Sequence, residues 1–98
     1  MDQTVLIGKK PAMNYATSAM IIAQQSDEIV LKARGKAIQR AVDVSQLILR
    51  RFLKNTFEIT MVKLGTEEID GDFKDIKTGE EYKKKINVST IEIKLEKI

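Results

Sequence analysis

Two lysines lie between an apolar strand and a helix near the start of the chain. Residues 5–7 are apolar and predict a short strand over residues 4–8, which Gly8-Lys9-Lys10-Pro11 brings to an end. Glycine lets the backbone turn at little steric cost, and proline suits the first position of a helix, where its missing N–H would have no partner. The open N–H groups of a first helical turn and two ammonium groups favour the same ligand, an oxyanion. The pattern therefore predicts a phosphate-binding joint.

A second cationic joint follows the next strand. Residues 28–33 are largely apolar and predict a central strand, after which Arg34-Gly35-Lys36 opens another helical pattern. A strand-helix-strand unit is nearly always a right-handed crossover with parallel strands, so the carboxyl ends of both strands lie at one edge of the sheet. Ligands bind at this edge in open α/β sheets. We therefore expect four cations to converge there: Lys9, Lys10, Arg34 and Lys36.

The positive charge is concentrated in the first half of the chain. Residues 1–55 hold nine cations and four anions, whereas residues 56–98 hold eight cations and ten anions, within a net charge of +3. A patterned excess of Lys and Arg is typical of a surface that binds a polyanion such as a nucleic acid.

The composition argues against an enzyme, a metalloprotein and a membrane protein. Cysteine and histidine are absent, which removes disulfides, thiolate metal sites, the commonest metal ligand and the commonest general base. No Walker motif is present, and no apolar stretch approaches the roughly 18 residues that span a bilayer. The start of the chain also lacks the charged and apolar segments of a signal peptide. We expect a soluble, intracellular protein with one core and with no catalytic site, cofactor, metal or membrane partner.

Two helical patterns provide the layer that covers the sheet. The first, over residues 11–25, places apolar residues, most of them alanines, on one face, namely Ala12, Ala16, Ala19, Met20 and Ala23. The second, over residues 36–53, has a longer stripe of Ile38, Ala41, Val42, Ser45, Ile48, Leu49 and Phe52. Val44 and Leu47 fall beside that stripe and widen it, which indicates a subunit interface in addition to the core.

The remainder of the chain predicts a long hairpin. Apolar residues alternate in residues 57–64 and 86–95, and the phase of the alternation switches near residue 61 and near residue 89. Aligning the two switches places Phe57 opposite Ile93, with residue numbers that sum to about 150 and a twist or bulge at the switch. Beyond Leu64 apolar residues become few, so the sequence predicts a projecting arm over about residues 65–85.

Four sequence blocks resemble the Alba family over nearly the whole chain. They are Val-Leu-Ile-Gly-Lys-Lys-Pro-Ala-Met-Asn-Tyr at 5–15, Glu-Ile-Val-Leu-Lys-Ala-Arg-Gly-Lys-Ala-Ile at 28–38, Arg-Arg-Phe-Leu at 50–53 and Ser-Thr-Ile-Glu-Ile at 89–93. The resemblance implies one domain over residues 1–98 with an α+β two-layer sandwich fold in the order β-α-β-α-β-β. This fold is similar to the C-terminal domain of translation initiation factor three and carries a protruding hairpin arm.

The resemblance also implies a function and partners. Alba proteins are dimeric archaeal chromatin proteins that bind double-stranded DNA, and commonly RNA, with little sequence preference. We therefore expect a homodimer, associating further into dimer–dimer assemblies or pairing with a paralogue, on the chromosome or nucleoid in the cytoplasm.

The resemblance assigns roles to individual residues. The nucleic-acid face would include Lys9, Lys10, Arg34, Lys36 and Arg40. Phe52 would lie at the contact between dimers, and the second helix with the last two strands would form the dimer. Acetylation of Lys9 or Lys10 would remove a charge from this face, which makes both candidate modification sites.

The sequence alone allows two interpretations of several other polar residues. Asn14 is placed either to bind phosphate or sugar or to cap the helix locally, whereas Tyr15 is more typical of the core. Arg51, like Arg50, suits either nucleic acid or a pairing with Asp43 of a neighbouring subunit. Lys9 and Lys10 themselves would be solvated turn residues in a plain scaffold module.

The predicted arm departs from the family, in which arms are basic. Residues 67–85 hold seven acids and five lysines. Three of these lysines are expected to face DNA from the base of the arm, namely Lys83, Lys84 and Lys85. The acidic tip is a poor phosphate ligand, so the body should supply most of the binding, either to duplex DNA or, in the alternative, to RNA as a chaperone or ribonucleoprotein subunit.

Overall fold

The computed structural model describes residues 2–98 and forms one mixed sheet with helices packed on one face. Its elements are β1 (Thr4–Leu6), α1 (Ala12–Ala23), β2 (Glu28–Arg34), a 3₁₀ turn (Gly35–Ala37), α2 (Ile38–Leu47), a π-helical turn (Ile48–Phe52), β3 (Phe57–Lys74) and β4 (Glu81–Lys97). The strand order across the sheet is β1-β2-β4-β3. The predicted β-α-β-α-β-β order is confirmed.

β1 and β2 are parallel neighbours joined by α1, as the crossover argument predicts. Thr4 lies opposite Val30, and the ladder continues to Leu6 opposite Lys32. The N–H of Ile7 then donates to the carbonyl of Lys32 over 2.8 Å. The carboxyl ends of both strands therefore meet at one edge of the sheet, and each continues directly into a cationic joint.

The core lies between the helices and one face of β1, β2 and β4. Small residues on α1, among them Ala16 and Ala19, let that helix approach the sheet closely, and both are fully buried. On α2 the buried stripe is Ala41, Val44, Ser45 and Ile48. Within residues 2–98, no helix is long and apolar enough to cross a membrane.

The predicted stripe of the second helix is partly wrong. Val42 and Phe52 are exposed, whereas Val44, expected beside the stripe, is fully buried. The buried residues Ala41, Val44, Ser45 and Ile48 keep the i, i+3, i+4, i+7 spacing of an α-helix, so the face that meets the sheet is rotated toward Val44 and away from Val42. Phe52 lies in the π turn, which rotates successive side chains by a different angle from an α-helix.

The predicted hairpin register is wrong, although its bulge is confirmed. Phe57 lies opposite Lys97, four positions beyond the expected Ile93, and the register shifts by one residue between Ile59 and Met61. Of the two predicted switches in the apolar alternation, only the one in β3 corresponds to a bulge. The switch in β4 leaves the ladder regular, because Ile86 and Val88 face the helix-free side of the sheet while the later residues Ile91, Ile93 and Leu95 face the core.

We call the hairpin from Gly65 to Thr90 the arm, and the rest of the molecule the body. Ten residue pairs, from Gly65 opposite Thr90 to Lys74 opposite Glu81, form the arm ladder. At about 3.3 Å per residue these pairs extend roughly 33 Å, and the molecule measures 56 × 23 × 23 Å. The observed arm therefore extends to Thr90, beyond the end near residue 85 that the sequence predicts.

The arm has one apolar and one charged face. Ile69, Phe73, Ile86 and Val88 form a half-buried stripe on the helix-free side. The rings of Phe73 and Tyr82 stack across the strands with centroids 5.7 Å apart, and the Phe73 ring leaves no room for a side chain at Gly71. The few apolar residues of the arm therefore pack against one another along one face of the ribbon.

Candidate nucleic-acid interface

The hydroxyl of Tyr15 holds the first cationic joint in place. Tyr15 lies in the first turn of α1, and its hydroxyl accepts hydrogen bonds from the N–H of Gly8 at 2.9 Å and of Lys10 at 3.0 Å. Its half-buried ring packs at the margin of the core. Two of the N–H groups of this joint are thus used internally, and they fix the backbone that carries the lysines.

The glycines of the two joints differ in their backbone conformation. Gly35 has a φ of 57°, in the left-handed region that favours glycine. Gly8 does not have a positive φ, so the expected role of Gly8 in the turn is wrong. A Cβ at Gly8 would lie 3.4 Å from the Tyr15 hydroxyl, which is ordinary contact. Pro11 precedes α1 as its N-cap residue rather than opening it.

Arg40 joins the second helix to the first joint. Its Nη1 donates a hydrogen bond of 2.6 Å to the carbonyl of Gly8. A guanidinium bound to a carbonyl is a strong, directional contact. The start of α2 therefore lies beside the loop that carries Lys9 and Lys10. One donor of Arg40, which the sequence assigns to nucleic acid, is occupied within the chain.

The remaining cations of the two joints are exposed. Lys9, Lys10 and Lys36 have exposed side chains, and none forms an ion pair within the described chain. Arg34 is exposed as well, but its Nη1 lies 3.3 Å from Oε2 of Glu67 on β3. The two joints together present ammonium groups to solvent, and Tyr15 and Arg40 brace the backbone of the first joint.

Asn14 is exposed in the first turn of α1. No side chain caps the helix N-terminus, so the capping interpretation of Asn14 is not realised. Its backbone carbonyl accepts a hydrogen bond from the hydroxyl of Ser18 at 3.2 Å. The Asn14 amide therefore stands on the surface beside the first joint, one turn from Lys10.

The three arm lysines do not lie together at the base of the arm. Lys83 lies opposite Asp72, and Lys85 lies opposite Asp70, while Lys84 points to the other face. The Nζ of Lys85 is also 3.5 Å from Oε1 of Glu68. The change in register moves these lysines toward the tip, where cross-strand acids offset their charge.

The residues proposed for contacts between dimers lie on and after α2. Phe52 ends the π turn with an exposed ring, and Asp43 and Arg51 are exposed on the same segment. Neither Asp43 nor Arg51 forms an ion pair within residues 2–98, which leaves both available to a neighbouring molecule.

Three residues act at this site in ways that the sequence did not reveal. Tyr15 braces the loop, Arg40 binds the Gly8 carbonyl, and Glu67 pairs with Arg34. A tyrosine one turn after a glycine-lysine loop is a signal that could have suggested the first contact. The pairing of Glu67 required the correct hairpin register, in which Gly65 lies opposite Thr90 and Thr90 opposite Arg34.

The described residues of the two joints supply positive charge, chiefly the exposed ammonium groups of Lys9, Lys10 and Lys36. No group of three or more acidic residues in the described part of the chain has an arrangement that could hold a metal ion. Within residues 2–98, a clear pKa change lies at the far end of the sheet, where a hydrogen bond to Glu28 and the charge of Glu28 raise the pKa of Lys94 above 10.5. That pair spans 3.1 Å and is remote from the joints.

Comparisons with known proteins agree with this geometry. The Alba family model matches residues 3–66. A protein named DNA/RNA-binding protein Alba from Methanococcus maripaludis is 42% identical over 95 residues, covering 95% of this chain and 96% of that protein. A protein of the same name from Nanoarchaeum equitans is 43% identical over 94 residues, covering 95% and 96%.

Solved structures agree as well. Alba from Thermoplasma volcanium superposes with a TM-score of 0.77 at 33% identity, covering 95% of this chain and 98% of that one. ALBA1 from Trypanosoma brucei, at 18% identity, shares the fold with a TM-score of 0.64 over 97% of this chain and 68% of that one. The resemblance in the sequence blocks is confirmed, and the chain belongs to the Alba family of DNA/RNA-binding proteins.

Proposed function

We propose that this protein coats and bridges double-stranded DNA as dimers, without sequence preference, through contacts with the phosphate backbone. The observation that carries the proposal is the braced first joint. Tyr15 and Arg40 fix its backbone, and Lys9 and Lys10 stand exposed on it. Ammonium groups neutralise phosphates and release counterions whatever the base sequence. Such a protein would act on the chromosome, as a component of the nucleoid in the cytoplasm.

RNA is the second candidate ligand. The relatives from two archaea carry names that include both DNA and RNA, and the same cations could neutralise the phosphates of an A-form or folded RNA. An RNA chaperone or ribonucleoprotein subunit would use the same joints, so the two candidates differ in relative affinity rather than in the residues involved.

Dimer formation is proposed from apolar side chains that the helices leave uncovered. The helices pack over β1, β2 and β4, while β3 lies beyond them at the edge of the sheet. Val62 and Leu64 face the helix-bearing side, because their ladder partners lie in the core, yet Leu64 is 74% exposed. Val42 on α2 and Ile59 on β3 are exposed as well. A second copy would cover this surface and double the number of cationic joints.

Assembly and modification extend the same proposal. Phe52, with Arg51 and Asp43 on the same segment, would form the contact between dimers along DNA, and a paralogue could replace one subunit. Acetylation of Lys9 or Lys10 would remove a charge from the joint and weaken phosphate binding. Both lysines are exposed, which a modifying enzyme requires.

The deciding experiment compares two pairs of lysines across a salt series. Wild type, Lys9→Ala/Lys10→Ala and Lys83→Ala/Lys85→Ala are titrated into labelled mixed-sequence duplex DNA and hairpin RNA of equal length. Both variants lose two positive charges, but only the second pair lies opposite acids. We expect the first variant to lose roughly tenfold to a hundredfold in affinity and about two units of salt slope per subunit. The second variant should lose less than about threefold, because the arm acids already offset those charges.

Each outcome has a distinct meaning. Tighter binding of hairpin RNA than of duplex DNA at equal salt would favour the second candidate. Binding that does not depend on salt concentration, or equal losses of affinity in the two variants, would contradict the role of the first joint. Light scattering of the free wild type should give twice the chain mass, and the mass of a single chain would contradict the dimer.

A further inference from the structure

One cation of the two joints is paired with an acid from the arm. Arg34 ends β2 and lies opposite Thr90 of β4, which in turn lies opposite Gly65 of β3. Glu67 follows two residues later on the same side of the sheet, and its Oε2 is 3.3 Å from Nη1 of Arg34. Because Gly65 has no side chain, the guanidinium can reach diagonally across β4 to this carboxylate.

The ion pair spans an open groove on the helix-free face of the sheet. The groove holds about 590 Å³ and is lined by Leu6, Lys32, Arg34, Lys63, Glu67 and Glu92, among others. Lys32 pairs with Glu92 on the same face over 3.6 Å. Two acids in the groove, Glu67 and Glu92, thus pair with the two cations on this face of β2, Arg34 and Lys32.

Both partners remain accessible to solvent and to a competing anion. The side chains of Arg34 and Glu67 are 57% and 51% exposed. Ion pairs in such positions contribute little net free energy, since water and salt screen them. A phosphate offers the guanidinium two oxygens in the same geometry as a carboxylate, so it can take the place of Glu67 without any change in the fold.

We propose that Glu67 is an internal competitor of nucleic-acid phosphate for Arg34. In the free protein Glu67 occupies the guanidinium, and binding of nucleic acid exchanges this carboxylate for a phosphate. This competition lowers the affinity of the second joint for phosphate, while the continuous pairing of β3 with β4 stays intact. The inference rests on the proposed function, because it assumes that Arg34 meets phosphate.

The contrast among the cations of the joints supports this assignment. Lys9, Lys10 and Lys36 form no ion pair within residues 2–98, whereas Arg34 does, and its partner comes from the arm. Glu67 is therefore placed to reduce the contribution of one cation while leaving the first joint unaffected.

The test is a double-mutant cycle with a matched control. Glu67→Gln, Arg34→Ala and the double variant are titrated with labelled duplex DNA across a salt series, beside wild type. Glu28→Gln is the control. It also removes one negative charge and one ion pair, but that pair is with Lys94 at the other end of β2. Circular dichroism checks that every variant is folded.

We expect Glu67→Gln to bind DNA about twofold to fivefold more tightly than wild type at low salt and to steepen the salt slope by about one unit per subunit. The gain should vanish in the Arg34→Ala background, and Glu28→Gln should leave the slope unchanged. Equal effects of Glu67→Gln and Glu28→Gln, or a gain that persists without Arg34, would overturn the inference.

The experiment separates the inference from the proposed function. If wild type binds DNA through Lys9 and Lys10 while Glu67→Gln has no effect, the function stands and the competitor role fails. If wild type shows no salt-dependent binding at all, the proposed function fails, and the inference fails with it.

Discussion

The body and the arm share β3 and β4 but differ in how their side chains are stabilised. In the body, one face of the sheet is covered by α1 and α2, and residues such as Ile29, Leu31 and Leu95 are fully buried. In the arm, the same two strands have no helix above them, and apolar side chains pack only across the ladder. Backbone pairing is continuous through both regions. Burial therefore differs between them, although the hydrogen-bonded ladder does not.

The two regions also differ in the way they use charge. The joints of the body present Lys9, Lys10 and Lys36 without acidic partners in the described chain. The arm instead places acids opposite its lysines, with Asp70 facing Lys85 and Asp72 facing Lys83. Cross-strand pairs of opposite charge stabilise a two-stranded ribbon that has little core. These charges of the arm thus stabilise its own ladder, whereas Lys9, Lys10 and Lys36 of the body remain available to a ligand. Glu67 is the exception in the arm, because it pairs with Arg34 of the body.

The largest difference should appear in stability when an isoleucine is truncated in each region. Ile29→Ala removes a fully buried side chain from β2, and we expect it to cost about 2–5 kcal/mol of unfolding free energy. Ile86→Ala removes a half-buried side chain from the arm stripe and should cost less than about 1 kcal/mol, since much of its surface already meets water. Urea denaturation followed by circular dichroism measures both.

Comparable losses for the two isoleucine variants would contradict the distinction, because they would mean that the arm stripe is buried against something in solution. A loss at Ile86 that grows with protein concentration would identify a second copy of the chain as the cover.

Sequence reasoning succeeded for the order and direction of the first two strands of the body, which local chemistry and chain handedness determine. The joint at Lys9 and the parallel pairing of β1 with β2 follow from residue order and the right-handed crossover. The hairpin register did not follow, because Ile86 and Val88 of the arm alternate like core residues although they face the other side of the sheet. A one-residue change in register reverses the face of every side chain.

Side-chain contacts at the site were the least predictable feature. The bond from Arg40 to the Gly8 carbonyl joins residues 32 positions apart, and no pattern along the chain marks it. The pair of Arg34 with Glu67 depends on the register of three strands. The four-position error in the predicted register of β3 and β4 therefore hides this second contact.

A smaller difference in stability and DNA affinity should appear when the hydroxyl of a tyrosine is removed from each region. Tyr15→Phe removes the acceptor for two N–H groups of the first joint, so we expect a loss of about 0.5–1.5 kcal/mol in stability. It should also lower DNA affinity by a few fold, because the loop that carries Lys9 and Lys10 is less well fixed. Tyr82→Phe is the matched change in the arm, where the hydroxyl has no partner within residues 2–98. Tyr82→Phe should alter neither quantity, whereas an equal effect of the two changes would argue against a bracing role for Tyr15.

The smallest difference should separate two lysine–glutamate pairs. Lys94 and Glu28 of the body lie 3.1 Å apart with side chains about one third exposed (33% and 32%), whereas Lys85 and Glu68 of the arm lie 3.5 Å apart and are 73% and 59% exposed. Glu28→Gln should therefore lower the melting temperature more than Glu68→Gln does.

Because Glu28 raises the pKa of Lys94 above 10.5, the folded state holds that proton more tightly than the unfolded state. The stabilisation is complete below pH 10.5 and is lost as the pH rises through the higher value. Melting curves at increasing alkaline pH should show the advantage of wild type over Glu28→Gln shrinking above that point, and an advantage that stays constant would exclude Lys94 as its source.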